Sequence, residues 1–361
     1  MSEVRRWTGL HRFVVGRTLA ECLDSGRDNF LLLRLIAALI VIFGHSYQMT
    51  GTEASIVDPL HRFFPHIYSH LVGVVTFFAI SGFLITLSFQ RQPDLLRFAR
   101  ARVLRLWPAF IVVVAAWAFV FGPMLTALPL HDYFAHGDDY GTAYRYFWSN
   151  ISLFQLWLWL PGLFADNPIP RHVNGSLWTI SWEAAMYVLV AIAGALRLLR
   201  FPWLASAVIF TLVATMVLWP FYTSDTVWSG TSLFGYVLAA CFGAGSILCL
   251  LRRYVPISTG LMILLAIVAI VGRNTQPLIM PAILYFVFWF AYVPRLPALP
   301  RSVDLSYGTY LWAFPVQQTV VATTGVRHPL VLFAIVVPIV LMIAALSWHF
   351  VEQPALRFKN D

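Results

Sequence analysis

The sequence predicts an all-α, polytopic membrane protein with about 10 transmembrane helices and both termini in the cytoplasm. Three observations lead to this fold class. Of its 361 residues, 60% are hydrophobic and only 11% are charged, whereas a soluble domain has about 25% charged residues. Apolar runs long enough to cross a bilayer recur along the chain. Arginine collects on alternate connections between these runs, as is typical of membrane proteins.

A membrane span needs roughly 17–25 mostly apolar residues, and reading the chain on this basis gives a series of ten segments. They are residues 30–48, 71–89, 104–121, 176–196, 203–220, 231–251, 257–272, 278–293, 305–322 and 329–351. The chain is thereby divided into a cytoplasmic segment 1–29, a membrane domain 30–351 and a short cytoplasmic tail 352–361. The first segment could lie on the membrane as an amphipathic helix or form a partly ordered tail.

The distribution of basic residues predicts the orientation of the spans. With the N-terminus inside, eighteen basic residues fall on inner flanks and five on outer loops, which is a clear positive-inside bias. The inner set is Arg5, Arg6, Arg12, Arg17, Arg27, Arg91, Arg97, Arg100, Arg102, Arg105, Arg197, Arg200, Arg252, Arg253, Arg295, Arg301, Arg357 and Lys359. The outer set is Arg62, Arg145, Arg171, Arg273 and Arg327. Because these basic flanks face anionic lipid, the net charge of +8 does not require a nucleic-acid partner.

One apolar segment, 147–164, is left out of the count. It is short and interrupted by polar residues, and if it spanned the membrane every later basic flank would move outside. We therefore interpret it as re-entrant or interfacial, within a large outer loop 122–175 that is rich in acids and aromatics. Loops of this length are commonly functional.

The sequence indicates neither a metal site nor a resident cofactor. Cys22, Cys241 and Cys249 lack metal-ligand spacing, and the last two lie in or beside an apolar run, where cysteine acts as a small hydrophobe. No GxSxG elbow, phosphate-binding P-loop or GxGxxG motif is present. We expect no metal and no disulfide framework.

The first span carries two ionisable residues, Arg34 and His45. Eleven residues of helix make three full turns plus about 20° and rise about 16 Å, so both lie on one stripe at two depths. Ionisable groups inside a membrane are costly and usually functional. Neutral histidine is also the usual general base near pH 7.

Two further clusters could serve these residues. Arg102 and Arg105 lie on one helix face at the inner end of the third span, where forked guanidiniums suit phosphate or carboxylate, although topology alone also requires basic residues there. In the segment 174–187, Asn174 could cap the fourth span, and Ser176, Thr179 and Glu183 fall on one face. Glu183 could orient the histidine or form a structural ion pair with an arginine.

At the end of the last span, Glu352 precedes a proline and a basic tail. We expect a structural tie between this carboxylate and an inner-flank arginine. His349 in the same run is interpreted as a packing or interfacial residue.

Six segments together resemble the acyltransferase 3 family of bacterial inner-membrane acyltransferases. They are DNFLLLRLIAALIVIFGHSY with its R-x10-H, GVVTFFAISGFLI, RARVLRLWP with its R-x-x-R, NGSLWTISWEAAMY, LSYGTYLWAFPV and SWHFVEQPALR. They occur in order over nearly the whole chain. The NGSLW form is similar to members that acylate exopolysaccharides and nodulation oligosaccharides. Many relatives have two acids where this chain has Glu183 followed by Ala184.

The resemblance implies transfer of an acyl group, usually acetyl, from cytoplasmic acyl-CoA to a hydroxyl of a carbohydrate, free or lipid-linked, at the outer face of the bacterial inner membrane. His45 and Glu183 would be catalytic, with His45 acting as a base or briefly carrying the acyl group. The donor-binding residues would be Arg34, Arg102 and Arg105, and the supporting residues Ser176, Ser181 and Glu352. Acyl-CoA would be a co-substrate. Two alternatives stay open: a transporter or flippase without acyl transfer, and an acyltransferase acting on a small molecule or lipid.

Overall fold

The structure, a computed structural model, describes residues 16–51, 56–139, 141–153, 155–222, 230–297 and 303–358, without the side chains of 217–222 and 230–233. In chain order its elements are β1 Arg17–Thr18, α1 Leu19–Asp24, α2 Phe30–Met49, α3 Pro59–Phe63, α4 Ser69–Arg91, α5 Leu95–Ala116, a π-helical turn Trp117–Phe121, α6 Gly122–Leu125, a π-helical turn Asp132–His136, α7 Ala143–Ser152, α8 Trp178–Ala195, a 3-10 turn Leu198–Arg200, α9 Pro202–Tyr222, α10 Gly230–Leu250, β2 Pro256–Ile257, α11 Thr259–Val271, α12 Gln276–Tyr292, α13 Ser306–Thr324, α14 Pro329–Ser347, a π-helical turn Trp348–Glu352 and α15 Gln353–Arg357.

Helices occupy all ten segments predicted as spans, so the mostly helical membrane fold is confirmed. Within the described residues, five helical stretches are long and apolar enough to cross a membrane by length and composition. These are Phe30–Met49, Ser69–Arg91, Leu95–Leu125, Trp178–Ala195 and Pro329–Arg357. The described residues also contain four apolar helices that are shorter: Pro202–Met216, Phe234–Leu250, Thr259–Val271 and Gln276–Tyr292. The number of crossings and the cytoplasmic position of both termini stay predictions.

Most helix boundaries differ from the sequence prediction by one or two residues, and the start of the third helix differs by nine. The third helix begins at Leu95 rather than at 104, because arginine is a good helix former and lets the helix continue through its basic inner flank. The fourth begins at Trp178 rather than 176. The interpretation of 147–164 as non-spanning agrees with α7, whose 10 residues rise only about 15 Å.

The terminal segments are described in part. Residues 1–15, which would form much of the amphipathic helix considered for segment 1–29, lie outside the described residues, as do 359–361 of the tail. The described end of the first segment contains β1, paired antiparallel with β2, and α1. A capping box fixes the start of α1: Glu21 N–H donates to the Thr18 hydroxyl, and Thr18 N–H donates to the Glu21 carboxylate.

The chain forms two compact units. Unit 1 comprises Met1–Ala37, Pro59–Phe98 and Met186–Ser302. Its most extensive packing joins α4 to α10, where Gly82 and Gly245 lie against the facing backbone so closely that a Cβ on either would overlap a carbonyl oxygen. Small residues allow such close approach of membrane helices. A hydrogen bond of 3.0 Å from Thr86 to Ser246 crosses the same interface.

Unit 2 comprises Ala38–Asp58, Ala99–Ala185 and Val303–Asp361. Its centre is α13, which is buried along almost its whole length although it is less apolar than most of the other long helices. The reason lies in its polar side chains, which bond to neighbouring segments. Tyr307 donates to the Leu106 carbonyl of α5 at 2.8 Å. By these bounds, every predicted site residue except Arg34 lies in unit 2.

Candidate active site

His45 lies in the C-terminal half of α2, half-buried. Its ring meets the Phe314 ring of α13 edge to face, with the centroids 5.4 Å apart. The same turn of α2 is held by Gln317, whose amide donates to the Ile42 carbonyl at 2.9 Å and to the Ser46 hydroxyl at 2.8 Å. Ser46 in turn donates to the Ile42 carbonyl at 2.8 Å. The position of the histidine is thus set by two consecutive turns of α13.

The NGSLW segment reaches the same aromatic ring. A Cβ on Gly175 would come within 2.7 Å of Phe314, so glycine is needed for the ring to pack there. Asn174 does not cap the helix as predicted; its side-chain oxygen accepts from Ser176 N–H at 3.2 Å, and its amide donates to the Leu311 carbonyl at 3.0 Å. Since α8 starts only at Trp178, Asn174 stabilises the turn before it and binds that turn to α13.

A hydroxyl cluster begins α8. The Thr179 and Tyr310 hydroxyls are 2.6 Å apart, and both contact the Ser176 carbonyl, at 3.0 and 3.3 Å respectively. Glu183, one turn further along α8 and half-buried, is close enough to act electrostatically on the Tyr310 hydroxyl. The predicted face of Ser176, Thr179 and Glu183 therefore meets a tyrosine that sequence reasoning did not select.

Several buried polar atoms of this unit keep unused hydrogen-bonding capacity. Within the described residues, the Ser176 hydroxyl, the Thr309 hydroxyl and the Gln317 side-chain oxygen have no hydrogen-bond partner. Such atoms are rare in protein interiors and usually mark a strained or functional place. All three lie on α13 or on the turn that it binds. They make this interior suitable for a polar substrate.

Ser181 supports the loop rather than the cluster. Its hydroxyl donates to the Leu153 carbonyl at 2.8 Å, where the chain leaves α7 with a left-handed φ of 59°. This contact fixes the end of α7 against α8. The predicted supporting role of Ser181 thus corresponds to one hydrogen bond between α8 and the end of α7.

In the N-terminal half of α5, Arg105 binds two carboxylates. It contacts Asp304 at 2.5 Å and Glu352 at 3.3 Å, and the Glu352 side chain is only 2% exposed. Glu352 also accepts from the Ser347 hydroxyl at 3.2 Å. The expected tie between Glu352 and an inner-flank arginine is confirmed. Because both ends of the guanidinium are engaged, the contacts of Arg105 are those of a structural residue, and its predicted part in donor binding stays a prediction.

Asp304 was not selected as a site residue in the sequence analysis because it precedes the predicted span 305–322. Its carboxylate accepts from Ser306 N–H at 3.1 Å and from the Ser306 hydroxyl at 2.6 Å, at the start of α13. An aspartate shortly before a helix is a familiar start signal, so a signal was present. Arg102 lies one turn before Arg105 on α5 with intermediate exposure, and Arg34 lies in unit 1 on the N-terminal half of α2.

The outer loop is bound to α13, the helix whose Phe314 ring packs against His45. The Gln318 amide donates to the Ile169 and His172 carbonyls, both at 2.7 Å. The Asn167 amide donates to the Gln318 side-chain and main-chain oxygens, both at 2.9 Å. Consecutive glutamines of α13 thus hold two different parts of unit 2, one on α2 and one in the loop.

Within the loop, aromatic and polar groups make further contacts. The Arg145 guanidinium lies 3.6 Å from the Trp157 ring centroid, and Asn150 binds the Tyr146 and Trp157 carbonyls at 2.8 and 2.7 Å. Burial raises the pKa of Tyr133 and Tyr146 above the usual tyrosine range. Both hydroxyls therefore stay protonated at neutral pH.

One grouping in this loop was not recognised in the sequence. His131, Asp132 and His136 place a ligand atom each within 4.8 Å of one another, because a π-helical turn brings residues five apart together. All three side chains are well exposed. Exposed groups of this kind are common without an ion.

The chain matches the Acyltransferase domain family (acyltransferase 3) over residues 28–349. It is 26% identical over 348 residues to the O-acetyl transferase of Shigella phage Sf6, covering 92% of this chain and 95% of the relative. It is 27% identical over 363 residues to nodulation protein 10 of Rhizobium leguminosarum bv. viciae, covering 93% and 95%.

A third relative is longer. O-acetyltransferase OatA of Staphylococcus aureus is 25% identical over 327 residues, covering 78% of this chain but 52% of OatA, so the chain spans about half of that protein. No solved structure matches the chain significantly.

Proposed function

Because the chain belongs to the acyltransferase 3 family and is therefore an acyltransferase, we propose that it moves an acetyl group from cytoplasmic acyl-CoA to a carbohydrate hydroxyl at the outer face of the bacterial inner membrane. Family membership makes the chain an enzyme, so the alternative of a transporter without acyl transfer is not retained. The acetyl group is supported by relatives named O-acetyl transferase and O-acetyltransferase.

The observation that carries this proposal is the packing of His45 and the NGSLW segment on one ring, Phe314. It places a half-buried imidazole and a cluster of hydroxyls in the same compact unit. That unit also contains the outer loop. A base, hydrogen-bonding groups for the acceptor and a loop to gather it are the parts that acyl transfer to a hydroxyl needs.

In the proposed reaction, neutral His45 takes the proton of the acceptor hydroxyl as its oxygen attacks the thioester carbon. The C–S bond then breaks, and the protonated imidazole returns the proton to the CoA thiolate. A two-step form, in which His45 first takes the acetyl group and then passes it to the hydroxyl, has the same balance. Glu183 favours the protonated imidazole electrostatically.

The donor and acceptor would be held by different parts of the chain. Arg34, on the same helix as His45, holds a phosphate group of the donor at the inner side, and Arg105 keeps α5 in place through its two carboxylates. The acceptor carbohydrate contacts the outer loop, where Tyr144 and Trp148 are 51% and 63% exposed. Flat aromatic rings with a polar edge suit sugar surfaces.

Purified full-length protein with labelled acetyl-CoA and a deacetylated surface-glycan acceptor tests this function. We expect His45→Ala to lower kcat by about 10²–10⁴-fold, which is the usual contribution of a general base. His328→Ala, which removes an exposed histidine, is the matched control and should leave the rate unchanged. Turnover of His45→Ala at the wild-type rate would refute the assignment of the base.

A further inference from the structure

Unit 1 contains a cavity that the proposed reaction has not used. It has a volume of about 1080 Å³ and is lined in part by Arg17, Arg27 and Arg295. Ligand cavities usually measure about 300–1,000 Å³, so this one is large enough for a nucleotide-sized molecule. The inner flank of the membrane domain thus has a second candidate binding site besides the residues considered above.

The electrostatics of the cavity favour an anion. The three arginines are exposed, and within the described residues none forms an ion pair with a carboxylate. The lining has a single acidic side chain, Asp28, whose carboxylate accepts from Phe30 N–H at 3.2 Å. Forked guanidiniums bind phosphate through two parallel hydrogen bonds.

Hydrogen bonds and close packing hold parts of the cavity wall. The Asn29 side-chain amide donates to the Phe290 and Pro294 carbonyls, both at 2.9 Å, and its backbone N–H donates to the Ala291 carbonyl at 2.9 Å, which binds the start of α2 to the end of α12. Gly16, also in the lining, has a φ of +71° and lies so close to Ile257 that any Cβ would overlap that carbonyl. A site with fixed walls loses little entropy when it binds a ligand.

The cavity also contains the aromatic and apolar surface that a base and a ribose need. Tyr292 and Leu32 contribute to its lining. Leu32 is on α2 two residues before Arg34, so one uninterrupted helix carries the cavity wall, Arg34 and, further along, His45. All three arginines belong to the predicted cytoplasmic flank, where acyl-CoA is found.

From these observations we propose that the cavity binds the phosphorylated nucleotide end of the acyl-CoA donor, with Arg17, Arg27 and Arg295 contacting its phosphates. This rests on the proposed function, since it names the site for one part of the proposed donor. The donor carries a diphosphate and a ribose phosphate, so Arg34 can still contact a phosphate group closer to the thioester.

The first test measures binding without any reaction. Adenosine 3′,5′-bisphosphate is titrated into the full-length protein in detergent by calorimetry. We expect it to bind wild-type protein, and we expect Arg27→Gln with Arg295→Gln to weaken binding by about 10-fold or more, as two charge-assisted hydrogen bonds predict. Arg253→Gln, an exposed arginine of the same flank outside the cavity, is the control. Failure of wild-type protein to bind, or equal binding by the double variant, would overturn the proposal.

The second test compares acetyl-CoA with S-acetyl-pantetheine, a donor without the nucleotide. The double variant should show a KM for acetyl-CoA raised by about 10-fold or more and unchanged kinetics with S-acetyl-pantetheine. An equal change for both donors would overturn the nucleotide assignment. If wild-type protein binds the bisphosphate but transfers acetyl from neither donor, the proposed function fails while the cavity assignment stands.

An anionic lipid headgroup has the same phosphate chemistry, and a third measurement separates the two sources. Thermal stability is compared in nanodiscs with and without phosphatidylglycerol. A double variant that loses lipid-dependent stabilisation but keeps the wild-type affinity for the bisphosphate would assign the cavity to lipid and overturn the proposal. Equal lipid dependence in both proteins supports it.

Discussion

Replacing Gln318 with leucine tests whether the outer loop depends on α13. Its amide donates at 2.7 Å to the Ile169 and His172 carbonyls, and its side-chain oxygen accepts from Asn167 at 2.9 Å. Leucine fills a similar volume but removes all three contacts. Two loop carbonyls then lose their donor, whereas Asn167 keeps the main-chain oxygen of residue 318 as its acceptor.

The expected loss follows from these contacts. A hydrogen bond contributes about 0.5–1.5 kcal/mol net, and a buried polar atom left without a partner costs about 1–3 kcal/mol. His172 is partly exposed, so water can reach its carbonyl and the smaller figure applies there. We therefore expect the free energy of unfolding to fall by about 2–4 kcal/mol.

The measurement is denaturant unfolding of the purified protein in detergent, followed by tryptophan fluorescence, together with limited proteolysis of the loop. Gln317→Leu is the matched control, because it removes contacts to α2 and none to the loop. Faster cleavage between residues 155 and 172 should occur only in Gln318→Leu. Unfolding within about 0.5 kcal/mol of wild type, with unchanged cleavage, would show that the loop is held by other contacts.

Three further predictions concern other parts of the chain. Glu352→Gln should lower the free energy of unfolding by about 2–4 kcal/mol, because it leaves Arg105 with one buried carboxylate fewer; unchanged denaturant unfolding would show that the pair contributes nothing. Gly82→Val should abolish the monodisperse peak in detergent gel filtration, since its side chain would overlap the α10 backbone, and a normal peak would contradict that close contact. Gly175→Ala should lower kcat about 10-fold without changing the donor KM, because the added methyl displaces the Phe314 ring; Phe314→Leu in the same protein should restore part of the rate, and no restoration would contradict this cause.

The helices could be predicted from the sequence because each must present apolar side chains to lipid over a fixed length. The start of the third helix at Leu95 could not be predicted in this way, because its basic first turns are too polar to be counted as part of a membrane span. Arginine nevertheless has a good helix propensity, and the helix continues through these turns. The short helix α7 was likewise recognised only as non-spanning. A length criterion says that a segment is too short to cross and does not show how it folds.

For the candidate site, the sequence allowed individual residues to be selected more readily than the side chains that contact them. The carboxylate of Glu352 predicted an ion pair with an inner-flank arginine. Which arginine forms the pair could not be identified, because Arg105 lies 247 residues away in the chain. Polar residues inside the span 305–322 were a usable signal for α13: Tyr310, Gln317 and Gln318 would be expensive in lipid. Their presence indicates a helix that faces protein on all sides.

The close contact of α4 and α10 has a consequence for motion in unit 1. A screw motion of one helix by a single residue, about 1.5 Å along its axis and about 100° around it, would bring Ser81 or Phe83 opposite the carbonyl that Gly82 now faces. Neither side chain fits there, and Gly245 sets the same condition from the other helix. A rearrangement of unit 1 therefore carries these two helices together, with the displacement taken up at the loops that lead into them.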